Sequence, residues 1–83
     1  MTNEVIWTKI VLERFIEQAN LSDDEEIVMR TRAAGWSRTK QAMELNLSVS
    51  TIDRIISRLK RKYDEVQAYD PILPPRQRGI YMK

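Results

Sequence analysis

Residues 35–63 constrain the fold of this chain more than any other stretch, because they predict two helices joined by a very short turn. Asn46 lies within that turn, and asparagine is the non-glycine residue that best tolerates a positive φ. Ser48 follows at a position where a hydroxyl can cap the next helix. Ala42 is small enough to let the two helices approach closely. The stretch therefore predicts a pair of crossing helices, a helix-turn-helix.

The second helix of this pair has a buried side and an outward side. Its buried stripe is marked by apolar residues that recur at spacings of three and four, namely Ile52, Ile55, Ile56 and Leu59. In a helix-turn-helix, the second helix lies in the major groove of DNA, where outward side chains meet base edges and phosphates. The residues expected to contact DNA are polar, basic or outward-facing: Arg38, Lys40, Ser48, Val49, Ser50, Thr51, Asp53, Arg54, Ser57, Arg58, Lys60, Arg61 and Lys62.

Some residues of this stretch have more than one explanation. Phosphates repel the carboxylate of Asp53, which could instead accept a hydrogen bond from cytosine or orient Arg54 or Arg58; we favour orientation. Arg54 and Arg58 could be solubilising charges, but their one-turn spacing favours contact with the groove or the phosphates. Trp36 fits a half-buried wedge between helices better than a DNA contact.

The spacing from Leu21 through Tyr63 resembles the DNA-binding domain of LuxR-type regulators without a gap. Leu21-Ser22 matches the start of that domain, and Ala33-Ala34-Gly35 matches its Ala-x-Gly segment. Ser37 to Leu47 resembles its next segment, and the residues from Ser48 to the basic Lys60-Arg61-Lys62 resemble its recognition helix. Region 4 of sigma factors is similar too, usually with one more residue before the glycine. The resemblance covers about half of the chain and implies an all-α DNA-binding fold.

The chain departs from the LuxR-type pattern on both sides of the motif. That family normally adds a short dimerisation helix after the recognition helix. Here the recognition helix continues, and a further helix precedes the motif. The resemblance therefore implies no particular dimer geometry.

Charge is distributed unevenly along the sequence. Residues 1–27 hold two basic side chains and seven acidic ones, whereas residues 28–62 hold nine basic side chains and two acidic ones. A polyanion would be attracted to one side of such a protein and repelled by the other, which is the pattern expected of a duplex-binding module.

Composition excludes several classes of function. A chain of 83 residues supports one small core, and its lack of cysteine and histidine removes thiol nucleophiles and the commonest zinc ligands. We therefore expect no enzyme activity, cofactor or metal, and we assign the acidic run Asp23 to Glu26 to a solvated helix start. No apolar run is long enough to span a bilayer, and Met1-Thr2-Asn3-Glu4 is unlike a secretion signal, so we expect a cytoplasmic protein.

The first helix, predicted from Asn3 to about Ala19, has apolar residues on more than one stripe, which favours a partner such as a second copy. A heptad seam in the last helix reaches Tyr63 and Val66, which need cover from the first helix of the same chain or of a dimer mate. The residues expected at a dimer or partner interface are apolar and lie on these two helices: Trp7, Val11, Phe15, Tyr63 and Val66.

The predicted architecture is a small all-α bundle of about four helices with an elongated recognition helix. One helix-turn-helix domain spans residues 1–69, with an N-terminal helix in 1–20 and the LuxR-like core in 21–63. Residues 70–83 contain three prolines and predict an extended or disordered tail. The tail's Arg76-Gln77-Arg78-Gly79 could enter a minor groove, although simple disorder is favoured.

These patterns favour a dimeric, sequence-specific transcription regulator of bacterial or mobile-element type. The alternative is a protein-interaction module that uses the same scaffold to bind RNA polymerase, a sigma factor or another protein. Asp53 and the modest net charge of +2 are the features that support this alternative.

Overall fold

The computed structural model describes residues 7–75 and contains four helices. They are α1 (Lys9–Ala19), α2 (Asp23–Ala33), α3 (Arg38–Leu45) and α4 (Val49–Gln67). The longest, α4, contacts each of the other three. No strand occurs between residues 7 and 75, so the predicted small all-α bundle is confirmed.

A hydroxyl side chain begins each of the four helices. In every case the oxygen accepts a hydrogen bond from the backbone N–H three residues later, at 3.2, 3.3, 3.0 and 3.1 Å for Thr8, Ser22, Ser37 and Ser48. Such a cap stabilises a helix by about 1 kcal/mol. The predicted start of α4 after Ser48 is therefore confirmed.

Left-handed backbone conformations mark the ends of three helices. Asn20 has a φ of 54° after α1, Gly35 has a φ of 94° after α2, and Asn46 has a φ of 62° after α3. Asparagine and glycine adopt this conformation at the least cost. The predicted turn at Asn46 is confirmed, and the backbone N–H of Leu47 donates to the carbonyl of Ala42 at 2.9 Å within it.

The core lies around the inner side of α4. Ile52, Ile55 and Leu59 are buried, as the apolar stripe predicted, and Ile56 is half-buried at its edge. Residues from the other helices and from the segment after α4 complete the core, namely Phe15, Val28, Met29, Tyr63 and Leu73.

An aromatic cluster within one chain provides the cover that Tyr63 requires. The Tyr63 ring centroid lies 5.4 Å from that of Trp7 and 5.2 Å from that of Phe15, and both contacts are edge to face. Phe15 is 0% exposed and Tyr63 is 2% exposed, so the cover of Tyr63 comes from the same chain, and a dimer interface at these residues stays a prediction. Trp7, Val11 and Val66 pack half-buried against the same core. The apolar surplus of α1 is thus used largely inside the monomer.

Residues 70–75 fold back onto the bundle, whereas the sequence predicted a free tail from residue 70. Leu73 is 1% exposed within the core, and the Tyr63 hydroxyl donates to the carbonyl of Pro74. Asp70 accepts hydrogen bonds from Arg14 Nε at 2.6 Å and from the backbone N–H of Ile72 at 3.0 Å. The hydrogen bond from Arg14 lowers the pKa of the Asp70 carboxyl despite its burial. The prolines exclude a helix here, but they allow a packed loop.

The predicted first helix and the predicted tail both extend past the described residues. The first helix begins later than predicted, because Trp7 and Thr8 are not helical and α1 starts at Lys9 after its cap at Thr8. The predicted helical residues 3–6 lie outside residues 7–75. The basic segment Arg76 to Gly79 also lies outside this range.

Candidate nucleic-acid interface

Helices α3 and α4 contact each other around the turn at Asn46. The side chains of Ala42, Leu45 and Leu47 are half-buried against the core and fix the relative position of the two helices. Trp36, just before α3, is half-buried as the sequence predicted, and Lys40 Nζ lies 4.6 Å from the centroid of its ring. The unit is therefore anchored from the inside, and its other side is left to solvent.

The solvent side of this unit is called the outer face below. It consists of the predicted DNA-contacting residues that are exposed, together with the half-buried Asp53, which forms an ion pair with Arg38. These residues are Arg38, Lys40, Ser48, Val49, Ser50, Asp53, Arg54, Ser57, Lys60 and Arg61. Along α4, Ser50, Arg54, Ser57 and Arg61 follow at intervals of four, three and four residues. This spacing places them on a single stripe of the helix.

Asp53 forms an ion pair with Arg38 across the two helices. Arg38 Nη1 lies 2.6 Å from Asp53 Oδ1, and the two side chains are 55% and 46% exposed. Asp53 therefore pairs with α3, and not with Arg54 or Arg58 as the sequence analysis favoured. Its position on α4 faces the start of α3, which local spacing along α4 could not reveal. The repulsion expected between this carboxylate and phosphates is offset by the Arg38 charge next to it.

Glu25, in the first turn of α2, is a buried carboxylate that binds α4. It is 3% exposed, and it accepts hydrogen bonds from Lys62 Nζ at 2.6 Å and from Arg58 Nε at 3.1 Å. The same side chain completes a capping box by accepting from the backbone N–H of Ser22 at 3.0 Å. Burial would raise the pKa of Glu25, but hydrogen bonds from Lys62, Ser22 and Arg58 outweigh it and lower the pKa to about 2.

The basic residues of α4 fall into two groups as a result. Arg58 and Lys62 lie on the side of α4 that faces α2, where both bind Glu25. Arg54, Lys60 and Arg61 are exposed, and none of them forms an ion pair within residues 7–75. A polyanion could therefore contact these three side chains without breaking an ion pair within the described residues.

Two other predicted contact residues serve the start of α4. The Ser48 oxygen accepts from the backbone N–H of Thr51, and the Ser48 hydroxyl donates to Thr51 Oγ1 at 2.9 Å. Thr51 is half-buried. Both hydroxyls therefore help to hold the first turn of α4 in place.

The acidic residues between positions 7 and 27 lie on α1 and α2, whereas the outer face is formed by α3, α4 and the turn between them. Arg30 binds Glu13 at 2.7 Å and Glu26 at 2.9 Å, and these hydrogen bonds raise the pKa of the Arg30 guanidinium. Basic charge on α2 is thus partly neutralised by internal ion pairs. Among residues 7–75, the basic residues of the outer face contribute most of the positive charge that no ion pair neutralises.

Sequence reasoning missed Gln41 and the second role of Glu25. Gln41 is 0% exposed, and its Nε2 donates to the carbonyl of Val28 at 3.0 Å and to Thr31 Oγ1 at 2.8 Å. Its spacing of four from Leu45 was a signal that it faces inward. The Ser-x-x-Glu pattern at Ser22 to Glu25 was a signal for the capping box.

Comparison with known proteins adds no relative. No protein-family model, curated protein or solved structure matches this chain. Within the described residues, no helix is both long enough and apolar enough to cross a membrane. The same residues contain no cluster of three or more histidine, cysteine, aspartate or glutamate side chains that could hold a metal ion.

Proposed function

We propose that this chain is a sequence-specific regulator of transcription that binds double-stranded DNA with α4 in the major groove. The observation that carries the proposal is the set of unpaired cations, Arg54, Lys60 and Arg61, on the solvent side of a helix that follows a tight left-handed turn. A helix held in this way can approach a duplex without rearrangement of the core.

The dimensions of α4 fit this role. Its exposed stripe runs from Ser50 to Arg61, which corresponds to roughly 16 Å at about 1.5 Å per residue. The major groove is about 12 Å wide and admits a single helix with its side chains. Because α4 rests on three other helices, its inner side is shielded and only the outer face can enter the groove.

The residues of the outer face divide into two roles. Val49, Ser50, Arg54 and Ser57 lie in the first half of α4, where a recognition helix contacts base edges. The outlying cations bind phosphates and set the register on the duplex, and they are Arg38, Lys40, Lys60 and Arg61. The resemblance to LuxR-type and sigma region 4 domains supports a role in transcription in the cytoplasm.

Selection of bound sequences from a random duplex pool, followed by binding titrations at low salt, tests the proposal. Arg54→Ala is expected to weaken binding to the selected duplex about tenfold and to relax preference at one base position. Lys9→Ala is the control, because Lys9 is an exposed cation on α1, outside the outer face. Failure of the wild-type protein to bind any duplex at low salt would reject the proposal.

A protein-interaction module on the same scaffold is the second candidate, and one observation favours it. Met43 is 72% exposed on α3, and methionine is enriched at protein–protein interfaces. In the sequence analysis, Asp53 is one of the features that support this candidate. Because Asp53 forms an ion pair with Arg38, its charge no longer supports it. A module of this kind would retain its protein partner, such as RNA polymerase or a sigma factor, after Arg54→Ala.

A further inference from the structure

We infer that the outer face reads the methyl group of a thymine with Val49 and a guanine with Arg54, within about three base pairs of each other. This inference rests on the proposed function and adds the identity of two bases to it. We expect Val49, Arg54 and the ion pair between Arg38 and Asp53 to determine which bases the protein prefers.

Val49 is the apolar member of the outer face. It is the first residue of α4 and 40% exposed, although its neighbours on that face are hydroxyls and charges. Among the groups that base pairs present in the major groove, the thymine C5 methyl is the apolar one. Contact between the valine methyls and this group removes apolar surface of both from water.

Arg54 is free to form two hydrogen bonds to one base. It is exposed and forms no ion pair within residues 7–75, and the adjacent carboxylate of Asp53 is engaged by Arg38 at 2.6 Å. A free guanidinium on a recognition helix binds guanine O6 and N7 together, which is the commonest specific contact in the major groove.

The separation of the two residues sets the separation of the two bases. Five residues of helix correspond to roughly 7.5 Å at about 1.5 Å per residue, and base pairs stack about 3.4 Å apart. The thymine and the guanine are therefore expected within about three base pairs of each other.

Atomic substitution in the selected duplex tests both contacts. Replacing each thymine in turn by deoxyuridine removes only the methyl group, and binding by the wild-type protein is expected to fall about fourfold at one position. Replacing each guanine in turn by 7-deazaguanine removes only the N7 acceptor, and binding is expected to fall about tenfold at one position.

Variants then assign each base to its residue. Val49→Ala is expected to bind the thymine and deoxyuridine duplexes equally while keeping its sensitivity to 7-deazaguanine. Arg54→Ala has no donor for guanine, so it is expected to lose the sensitivity to 7-deazaguanine while keeping the sensitivity to the methyl group. Circular dichroism checks that both variants fold, which is expected because both side chains are exposed.

The outcomes distinguish this inference from the proposed function. A selected duplex with no methyl-sensitive thymine, or one whose methyl sensitivity survives Val49→Ala, overturns the inference while duplex binding still stands. The same holds if 7-deazaguanine has no effect, or if its effect is unchanged in Arg54→Ala. Absence of any duplex binding overturns both.

Discussion

At the scale of single residues, a buried polar side chain, Gln41, joins the first helix of the motif, α3, to α2. Gln41 lies at the centre of the contact between α3 and α2, and its amide nitrogen bridges two acceptors on α2. Its Oε1 atom is buried and has no hydrogen-bond partner within residues 7–75. A buried acceptor without a partner costs free energy, so this residue carries a stability penalty inside the motif.

Gln41→Leu is expected to increase the free energy of unfolding by about 1 kcal/mol, because it removes the unpaired acceptor from an apolar site of similar volume. Thr31 Oγ1 also donates to the carbonyl of Ile27, so it keeps a partner in the variant. Urea denaturation measures the effect, and Gln18→Leu, at an exposed position on α1, is the control. A loss of stability in Gln41→Leu would contradict the prediction, because it would show that the two hydrogen bonds donated by Nε2 outweigh the unpaired acceptor.

At the scale of elements, α4 has an inner stripe that builds the core, an outer face, and a flank that binds α2 through Glu25. The starts of α2 and α4 and the end of α3 could be predicted closely, because Ser22, Ser48 and Asn46 act on their own immediate neighbours, whereas the start of α1 at Lys9 was not predicted. The partners of Glu25 and Asp53 could not, because they depend on how α2 and α3 sit against α4. Periodicity shows which side of a helix is buried, but not which residue of another helix lies opposite.

Acid is expected to destabilise the protein through Glu25. Its pKa of about 2 in the folded chain is below the ordinary glutamate value, so its stabilising effect is fully present above about pH 5 and is lost as the pH falls towards 2. The shift corresponds to about 3 kcal/mol at neutral pH. Urea denaturation at a series of pH values between 7 and about 2 measures this loss.

Lys62→Met tests whether the effect belongs to this ion cluster. The variant is expected to be less stable than the wild type at neutral pH and to lose less stability on acidification, because one partner of Glu25 is gone. Lys60→Met removes an equal charge from an exposed position on the same helix and is expected to match the wild type. Equal pH profiles for Lys62→Met and the wild type would contradict the role given to Glu25.

At the scale of the whole molecule, the bundle is closed by chain segments from both sides of the motif. Trp7 and Phe15 precede it, Leu73 follows it, and all three pack with Tyr63 or the core around it. The proline content of residues 70–75 correctly excluded a helix, but composition does not show whether a loop packs. The apolar pair Ile72-Leu73, flanked by prolines, was too short a signal to predict the burial of Leu73.

Leu73→Ala is expected to lower the free energy of unfolding by about 2–4 kcal/mol, since it leaves a cavity in the core. Ile72→Ala is the matched control, because Ile72 is the neighbouring residue and is 50% exposed. Thermal or urea denaturation compares the two variants. Equal stabilities would show that residues 70–75 are not part of the folded unit in solution.

The salt dependence of duplex binding tests the central claim most directly. For the wild type and for Lys60→Ala and Lys9→Ala, the logarithm of the binding constant is plotted against the logarithm of the salt concentration. If the outer face binds phosphates, Lys60→Ala reduces the magnitude of the slope by about one and weakens binding to all duplexes alike, while Lys9→Ala leaves both unchanged. Equal slopes for all three proteins, or no binding at low salt, would contradict a DNA-binding outer face.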